Sequence, residues 1–155
     1  MSSENIFIHP LAICESNFIG KGTRVWPFTH IMPDSRIGEF CNIGEQVFIE
    51  SGAQIGNRVT IKNGVQIWSG VSIEDDVFIG PNTTFTNDKY PKSNNITFKM
   101  LTTLVMRGVS IGANATILPG LIINEYAVIG AGSVVTKNVE AHQTVYGNPA
   151  QSNSN

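Results

Sequence analysis

The chain has 155 residues, about one domain's length, with 14% charged residues and a formal net charge of −2. This balance leaves no basic field for wrapping nucleic acid, and no run approaches the roughly 18 apolar residues of a membrane span. The 19 Ile and 13 Val outnumber the 5 Leu and 8 Ala, and there are 15 Gly and 15 Asn. Because β-branched residues favour strands while Gly and Asn favour tight turns, the composition predicts short strands and many corners.

The N-terminus of the chain and its cysteines indicate the cellular compartment. The first five residues, MSSEN, lack the charged and apolar regions of a signal peptide. Cys14 and Cys41 are too few for a disulfide scaffold. We therefore expect a cytoplasmic protein.

Apolar residues recur at every sixth position along the first half of the chain. The repeat positions are Ile19, Val25, Ile31, Ile37, Ile43, Ile49, Ile55, Ile61, Ile67, Ile73, Ile79 and Phe85. Stepping backwards adds Ile13 and Phe7, and the position two before each repeat residue from Val25 to Phe85 is small or β-branched. A fixed step of six is typical of a solenoid, whereas the strands of a sandwich alternate with a period of two.

A second period, three times as long, lies above the first. Gly20, Gly38 and Gly56 each follow a repeat isoleucine at intervals of three hexapeptides, and Gly112 and Gly130 show the same interval. Three hexapeptides therefore make one coil with three flat sides, and neighbouring coils pair as parallel strands about 4.8 Å apart. About seven such coils fit into one domain over residues 5–150, and we expect residues 151–155 to be a disordered tail.

The repeat is interrupted once. It resumes at Val105 and continues through Ile111, Ile117, Ile123, Ile129 and Val135. The step from Phe85 to Val105 is not a multiple of six, so the two halves are out of register. The polar segment near residues 86–104 is therefore predicted to be a loop that protrudes from the scaffold.

The position after each repeat residue points outward and is often Gly. Larger residues replace it at Trp26, Met32, Glu50, Trp68 and Leu118. At intervals of three hexapeptides, positions 68, 50, 32 and 14 are expected to stack in successive coils. We predict that part of this surface contacts another subunit; the alternative is packing against the insertion loop.

The repeats of the form I-G-x-x-x-[small] resemble those of the hexapeptide-repeat proteins, most of which are acyltransferases. The resemblance covers about residues 5–150 and implies an all-β fold, a left-handed parallel β-helix. It also implies a homotrimer with active sites between the subunits.

A narrower resemblance rests on the insertion. The run F-T-N-D-x-Y-P-[KR]-S begins at Phe85, with V-Q-I-W-S-G upstream and S-I-G-A-N-A-T-I-L-P-G and Y-G-N-P-A downstream. It is similar to N-acetyltransferases that act on 3-amino sugars linked to dTDP or UDP for bacterial surface glycans. The implied reaction is acetylation of the sugar 3-amino group by acetyl-CoA, with no metal.

Two residues are candidates for catalysis. Asn87 matches the asparagine that lies beside the sugar amine in the similar enzymes, where its carbonyl would orient the nitrogen lone pair. His30 is the candidate base in the body of the chain, since we expect His9 and His142 to be structural or on the surface. Relatives often carry an acidic residue where this chain has Ser69. We therefore predict direct attack of the amine on the thioester, without a protein base.

Further contacts follow from the resemblance. The expected sugar-nucleotide contacts are Trp68, Ser69, Asp88, Lys92 and Arg107. The expected acetyl-CoA contacts are Lys137 and the backbone of Ala113 and Ala131, and Arg107 is an alternative partner for the CoA phosphates.

Other functions remain open at this point. Hexapeptide acyltransferases also act on serine, simple sugars and antibiotics, and the scaffold also serves as a non-catalytic binding module. The three histidines show no stacking relation, which argues against the zinc site of γ-class carbonic anhydrases.

Overall fold

The computed structural model describes residues 4–152 as a prism of three sheets, whose strands pair in parallel from one coil to the next. Residues 1–3, which begin the N-terminal segment without signal-peptide features, and residues 153–155 lie outside the described part. The described residues contain no helix, and so none that could cross a membrane.

Each sheet forms one side of the prism. The first sheet contains β1 (Phe7–Ile8), β4 (Arg24–Val25), β7 (Asn42–Ile43), β10 (Thr60–Ile61), β13 (Phe78–Ile79), β16 (Ser110–Ile111), β19 (Val128–Ile129), β21 (Thr144–Tyr146) and β22 (Gln151–Ser152). The second contains β2 (Ile13–Cys14), β5 (His30–Ile31), β8 (Phe48–Ile49), β11 (Gln66–Ile67), β14 (Thr84–Phe85), β17 (Thr116–Ile117) and β20 (Val134–Val135). The third contains β3 (Phe18–Ile19), β6 (Arg36–Ile37), β9 (Gln54–Ile55), β12 (Val71–Ile73), β15 (Thr103–Val105) and β18 (Ile122–Ile123).

Consecutive strands of a sheet belong to successive coils. Thr60 pairs in parallel with Phe78, and Gln66 pairs with Thr84, so each step is three hexapeptides long. An isolated bridge between Ile123 and Val139 completes the seventh coil, and β21 begins an eighth. The prediction of an all-β, parallel β-helix of hexapeptide repeats is confirmed.

The repeat positions form the core. Among them Ile31, Ile43, Ile49, Ile61 and Ile67 are completely buried. Each such side chain contributes about 1.5–3 kcal/mol to folding through its removal from water. The repeats from Val25 to Phe85 and from Val105 to Val135 are therefore assigned correctly, because each is buried.

The first coil departs from the predicted register. Phe7 pairs with Arg24 and Ile13 with His30, so each step falls one position short of three hexapeptides. Ile8 and Cys14 consequently occupy the inward positions, while Ile13 is 59% exposed. The prediction that Phe7 and Ile13 point inward is wrong, because the corner after Cys14 is one residue shorter than the others.

The predicted tail does not begin where we placed it. Gln151 and Ser152 form β22, which pairs antiparallel with Tyr146 and Val145 of β21. The hairpin lies at the C-terminal end of the prism and continues the first sheet by one strand.

The insertion lies between β14 and β15 and spans residues 86–102. Val71 pairs with Thr103, a much longer step than the three hexapeptides that separate Thr60 from Phe78, so this coil carries additional chain. The loop ends two residues earlier than predicted, because Thr103 and Leu104 already pair with β12.

Corners repeat one backbone conformation. The third residue after an inward residue has a positive φ, as in Phe28 (60°), Phe40 (54°) and Gln46 (57°). Its N–H donates to the corner carbonyl of the preceding coil; the Gln46 N–H, for example, donates to Pro27 O at 3.3 Å. Glycine or asparagine suits this position best, since other side chains are strained there.

Candidate active site

The candidate site lies on the corner between the second and third sheets, which we call the loop corner because the insertion starts there. Ser69 follows the inward Ile67 by two residues, and Asn87 follows the inward Phe85 by two residues. The two side chains therefore belong to one column, one coil apart, as predicted.

The Asn87 carboxamide is half-buried and oriented by Ser69. Its Nδ2 donates a hydrogen bond to the Ser69 carbonyl oxygen at 3.2 Å. A carbonyl only accepts, so the nitrogen of the carboxamide must face Ser69. The Asn87 Oδ1 is then left as an acceptor for a substrate N–H.

Glu50 brings a carboxylate to the loop corner, and the sequence-based prediction missed its role. Its Oε2 accepts a hydrogen bond from the Ser69 N–H at 2.7 Å. Glu50 precedes Trp68 by one coil and is half-buried. The sequence contained a signal for this role, because Glu50 replaces Gly at an outward position of the column that contains Trp68.

Trp68 connects the loop corner to the start of the insertion. Its Nε1 donates to the Phe85 carbonyl at 2.9 Å, and its ring lies 5.5 Å from that of Phe48. Here β11 and β14 pair through one residue pair, Gln66 with Thr84. The indole thus bonds to the carbonyl at which the chain leaves the repeat.

The column below Trp68 differs from the prediction in the first coil. The Met32 position lies above Glu15 rather than position 14, because Glu15 follows the inward Cys14. Whether this surface contacts another subunit stays a prediction.

His30 is not brought to Asn87 within one chain. The two residues are separated by three coils, roughly 14 Å along the prism. The His30 Nε2 lies 2.8 Å from Glu15 Oε2, and its ring lies 5.6 Å from that of Phe48. The imidazole is therefore already paired with a carboxylate.

The insertion folds back onto the loop corner. The Leu101 N–H donates to the Asn87 carbonyl at 3.0 Å, which closes the loop. Met100 packs on Gly70, where a Cβ would lie 3.0 Å from the Met100 sulfur. The loop is thus anchored beside Asn87.

Two predicted sugar-nucleotide contacts lie in this loop. Asp88 Oδ1 accepts from the Tyr90 N–H at 2.9 Å, so one of its oxygens already shapes the loop. Lys92 is exposed. A cavity of about 410 Å³ next to Asp88 is also lined by Lys89, Tyr90 and Lys99, together with Asn95, Thr97 and Leu101.

Arg107 lies on a different corner, between the third and first sheets. Its guanidinium is 3.6 Å from the Asp75 carboxylate, and its backbone N–H donates to Glu74 Oε2 at 2.9 Å. The pKa of Asp75 is lowered, chiefly by a hydrogen bond from the backbone N–H of Asn57. Within one chain Arg107 is therefore not brought together with Asn87.

The expected acetyl-CoA contacts occupy two corners. Ala113 and Ala131 are stacked on the corner between the first and second sheets, where a Cβ on Gly112 would lie 2.5 Å from Ala131 N. The Ala113 carbonyl already accepts from the Gly132 N–H at 2.8 Å. Lys137 is exposed on the loop corner, in the column of Asn87 and two coils beyond it.

Comparison with known proteins shows the family. The chain matches the model of the bacterial transferase hexapeptide (six repeats) over residues 18–51, 52–87 and 102–137. It is 52% identical over 150 residues to the dTDP-3-amino-3,6-dideoxy-alpha-D-galactopyranose 3-N-acetyltransferase of Aneurinibacillus thermoaerophilus, covering 97% of this chain and 78% of that protein. It is 30% identical to the bifunctional protein GlmU of Wigglesworthia glossinidia brevipalpis, covering 88% of this chain but 28% of that protein.

Solved structures share the fold. A point mutant of the GDP-perosamine N-acetyl transferase of Caulobacter crescentus, in complex with CoA and GDP-perosamine, superposes with a TM-score of 0.73 at 20% identity. The acetyltransferase domain of PglB from Neisseria gonorrhoeae, in complex with acetyl coenzyme A, gives 0.71 at 18% identity. This chain is covered to 99% and 97%, but it spans 58% of each of the two solved chains.

Proposed function

This chain belongs to the bacterial hexapeptide transferases, and we propose that it is an acetyl-CoA-dependent sugar N-acetyltransferase. Its substrate is a 3-amino sugar linked to dTDP or UDP, and its product is used for surface glycan biosynthesis. The similar protein of Aneurinibacillus thermoaerophilus, which is 52% identical, is such an enzyme by its name. The observation that carries the proposal is the Asn87 carboxamide, oriented by Ser69 where the insertion leaves the scaffold.

The reaction is a direct attack of the sugar amine on the thioester. Asn87 Oδ1 accepts one amine N–H, which turns the nitrogen lone pair toward the thioester carbonyl. The C–N bond forms, the C–S bond breaks, and the departing CoA sulfur takes the proton that the nitrogen loses. This route needs no protein base, consistent with the three coils that separate His30 from Asn87 within one chain.

The acetyl-CoA arm lies along the corner of Ala113 and Ala131. At the same corner in an earlier coil, the Asn63 side-chain oxygen accepts from the Glu45 N–H at 3.2 Å. Above Ala113 the next coil presents the methyl group of Ala131 instead, which cannot accept. The Ala113 N–H is therefore available to an amide of the pantetheine arm, and Lys137 to a phosphate.

The charge of the insertion supports sugar-nucleotide binding. Residues 86–102 contain three lysines and one aspartate, a net charge of +2 on a chain whose total is −2. Lys92 and the Tyr90 ring are exposed there. A positive loop beside Asn87 suits a diphosphate whose sugar reaches the loop corner.

The enzyme works as a homotrimer in the cytoplasm, with its active sites between subunits. A neighbouring subunit can bring a different corner to the loop corner, which would give Arg107 access to the substrate. The free thiols of Cys14 and Cys41 suit a reducing compartment.

The proposal is tested by thiol release from acetyl-CoA with dTDP- and UDP-linked 3-amino sugars. Turnover is expected with at least one of them. Turnover only with serine, a simple sugar or an antibiotic would favour the other acyltransferases, and no turnover with any acceptor would leave a binding module.

The catalytic roles are tested in the same assay. We expect Asn87→Ala to lower kcat/KM by about 10- to 100-fold, because the amine loses its orienting acceptor. His30→Ala should change it little. Unchanged kcat/KM in Asn87→Ala, together with an inactive His30→Ala, would refute the base-free mechanism.

A further inference from the structure

Glu50 and Asn87 are connected through one residue of the loop corner. The Ser69 N–H donates to Glu50 Oε2 at 2.7 Å, and the Ser69 carbonyl accepts from Asn87 Nδ2 at 3.2 Å. Gly70, which follows with a φ of +87°, adds no side chain that would hold this corner.

At other corners, the side chain at the position equivalent to Asn87 accepts a hydrogen bond from the coil below instead of donating one. Asn57 lies one coil above Glu39, and its Oδ1 accepts from the Glu39 N–H at 2.8 Å. The Asp75 Oδ1 accepts from the Asn57 N–H at 2.8 Å in the same way. At these corners the side chain of the next coil uses its oxygen to satisfy the amide below it.

Asn87 lies above Ser69 as Asn57 lies above Glu39, but its oxygen is not used in this way. The Ser69 N–H is satisfied by Glu50, from the coil below, and Asn87 donates to the Ser69 carbonyl instead. We propose that Glu50 is a positioning residue: by occupying the Ser69 N–H it keeps the Asn87 carboxamide turned, so that Oδ1 remains free for the substrate amine.

The expected effect of Glu50 on kcat rests on the proposed function, in which Asn87 Oδ1 binds the sugar amine. Without the Glu50 carboxylate, the Ser69 N–H would lack an acceptor in a half-buried corner, which is unfavourable. The Asn87 carboxamide can then rotate and accept from it with Oδ1, as Asn57 does for Glu39. The acceptor for the sugar amine is thereby lost while the coil remains intact.

Kinetics of three variants test this. Glu50→Ala should lower kcat by about 10- to 100-fold and change the KM for acetyl-CoA by less than about twofold. Glu50→Gln should retain most of the activity, because the amide oxygen of the introduced glutamine still accepts from the Ser69 N–H. Glu45→Ala, which removes an exposed carboxylate at another corner, is the matched control and should resemble the wild type.

A double-mutant cycle separates positioning from a general structural role. In the Asn87→Ala background, Glu50→Ala should have no further effect on kcat, because the group through which it acts is absent. Additive losses, an unaffected kcat in Glu50→Ala, or equal losses in Glu50→Gln and Glu50→Ala would overturn the inference.

A crystal structure of Glu50→Ala gives a readout that needs no activity. We expect the Asn87 carboxamide to move from the Ser69 carbonyl to the Ser69 N–H, and an unmoved carboxamide would contradict the inference. A wild-type protein without turnover on any amino-sugar nucleotide refutes the proposed function instead, and the structure of the variant then decides the role of Glu50 alone.

Discussion

Replacing Trp68 with phenylalanine tests how the insertion is attached to the prism. The change keeps an aromatic ring beside Phe48 but removes the indole N–H that donates to the Phe85 carbonyl at 2.9 Å. Phe85 is completely buried, so its carbonyl has no contact with solvent in the native fold. The variant therefore leaves one buried carbonyl without its partner.

The expected loss is about 2 kcal/mol, within the roughly 1–3 kcal/mol that an unsatisfied buried polar group costs. Trp26→Phe is a matched control in the same protein. The Trp26 Nε1 donates at 2.7 Å to the side-chain oxygen of Asn42, which is half-buried and can bond to water instead. We expect this second variant to lose about 0.5 kcal/mol, the low end for a typical hydrogen bond.

Urea unfolding followed by circular dichroism measures both losses, and thermal unfolding gives a second readout. At about 2–4 °C per kcal/mol for a chain of this length, Trp68→Phe should lower Tm by about 4–8 °C and Trp26→Phe by about 1–2 °C. Equal losses in the two variants would refute the reasoning, because the two donors would then be energetically equivalent despite their different acceptors.

Two further predictions concern the corners. Gln46→Asn should raise the free energy of unfolding by about 0.5–1 kcal/mol, because asparagine tolerates the positive φ of this exposed residue better than glutamine. Urea unfolding measures the gain, with Gln54→Asn, a substitution in strand β9, as the control. Equal changes in the two variants would contradict the prediction. The pKa of Asp76 is lowered, first by its hydrogen bond with the Arg58 side chain. A lowered folded-state pKa stabilises the fold above the unfolded value of about 3.9, and this stabilisation is lost as the pH falls through the folded pKa. The stability difference between wild type and Asp76→Asn should therefore be largest near neutral pH and disappear in acid; urea unfolding across this range checks it, and a difference that grows in acid would refute the assignment.

The fold was predictable because one buried position repeats along the chain. The apolar step of six located the inward residues from Ile19 onward. It failed in the first coil, where Phe7 and Ile8 are both apolar, as are Ile13 and Cys14. Periodicity cannot choose between two adjacent apolar residues, and the shorter corner after Cys14 has no signature in composition.

The candidate site was predictable only in part. The three-hexapeptide step placed Asn87 over Ser69, which the hydrogen bond between them confirms. It did not predict the connection from Glu50 to Ser69, because a side chain that reaches the backbone of the next coil depends on its rotamer. The repeat within one chain also does not show which part of a neighbouring subunit would complete the site. The roles of Arg107 and His30 in the site therefore stay predictions.

The insertion between β14 and β15 also removes an ambiguity in which coils of the chain pair with each other. Most coils present isoleucine at equivalent places, so a segment that paired one coil too far would still bury isoleucine on isoleucine. The coil that contains the insertion cannot be exchanged with another, since its strands pair across a longer stretch of chain than those of the other coils. The Trp68 indole bonds to the carbonyl at which that coil begins to differ. The segment that we propose for substrate binding thus also distinguishes the native alignment from its translated copies.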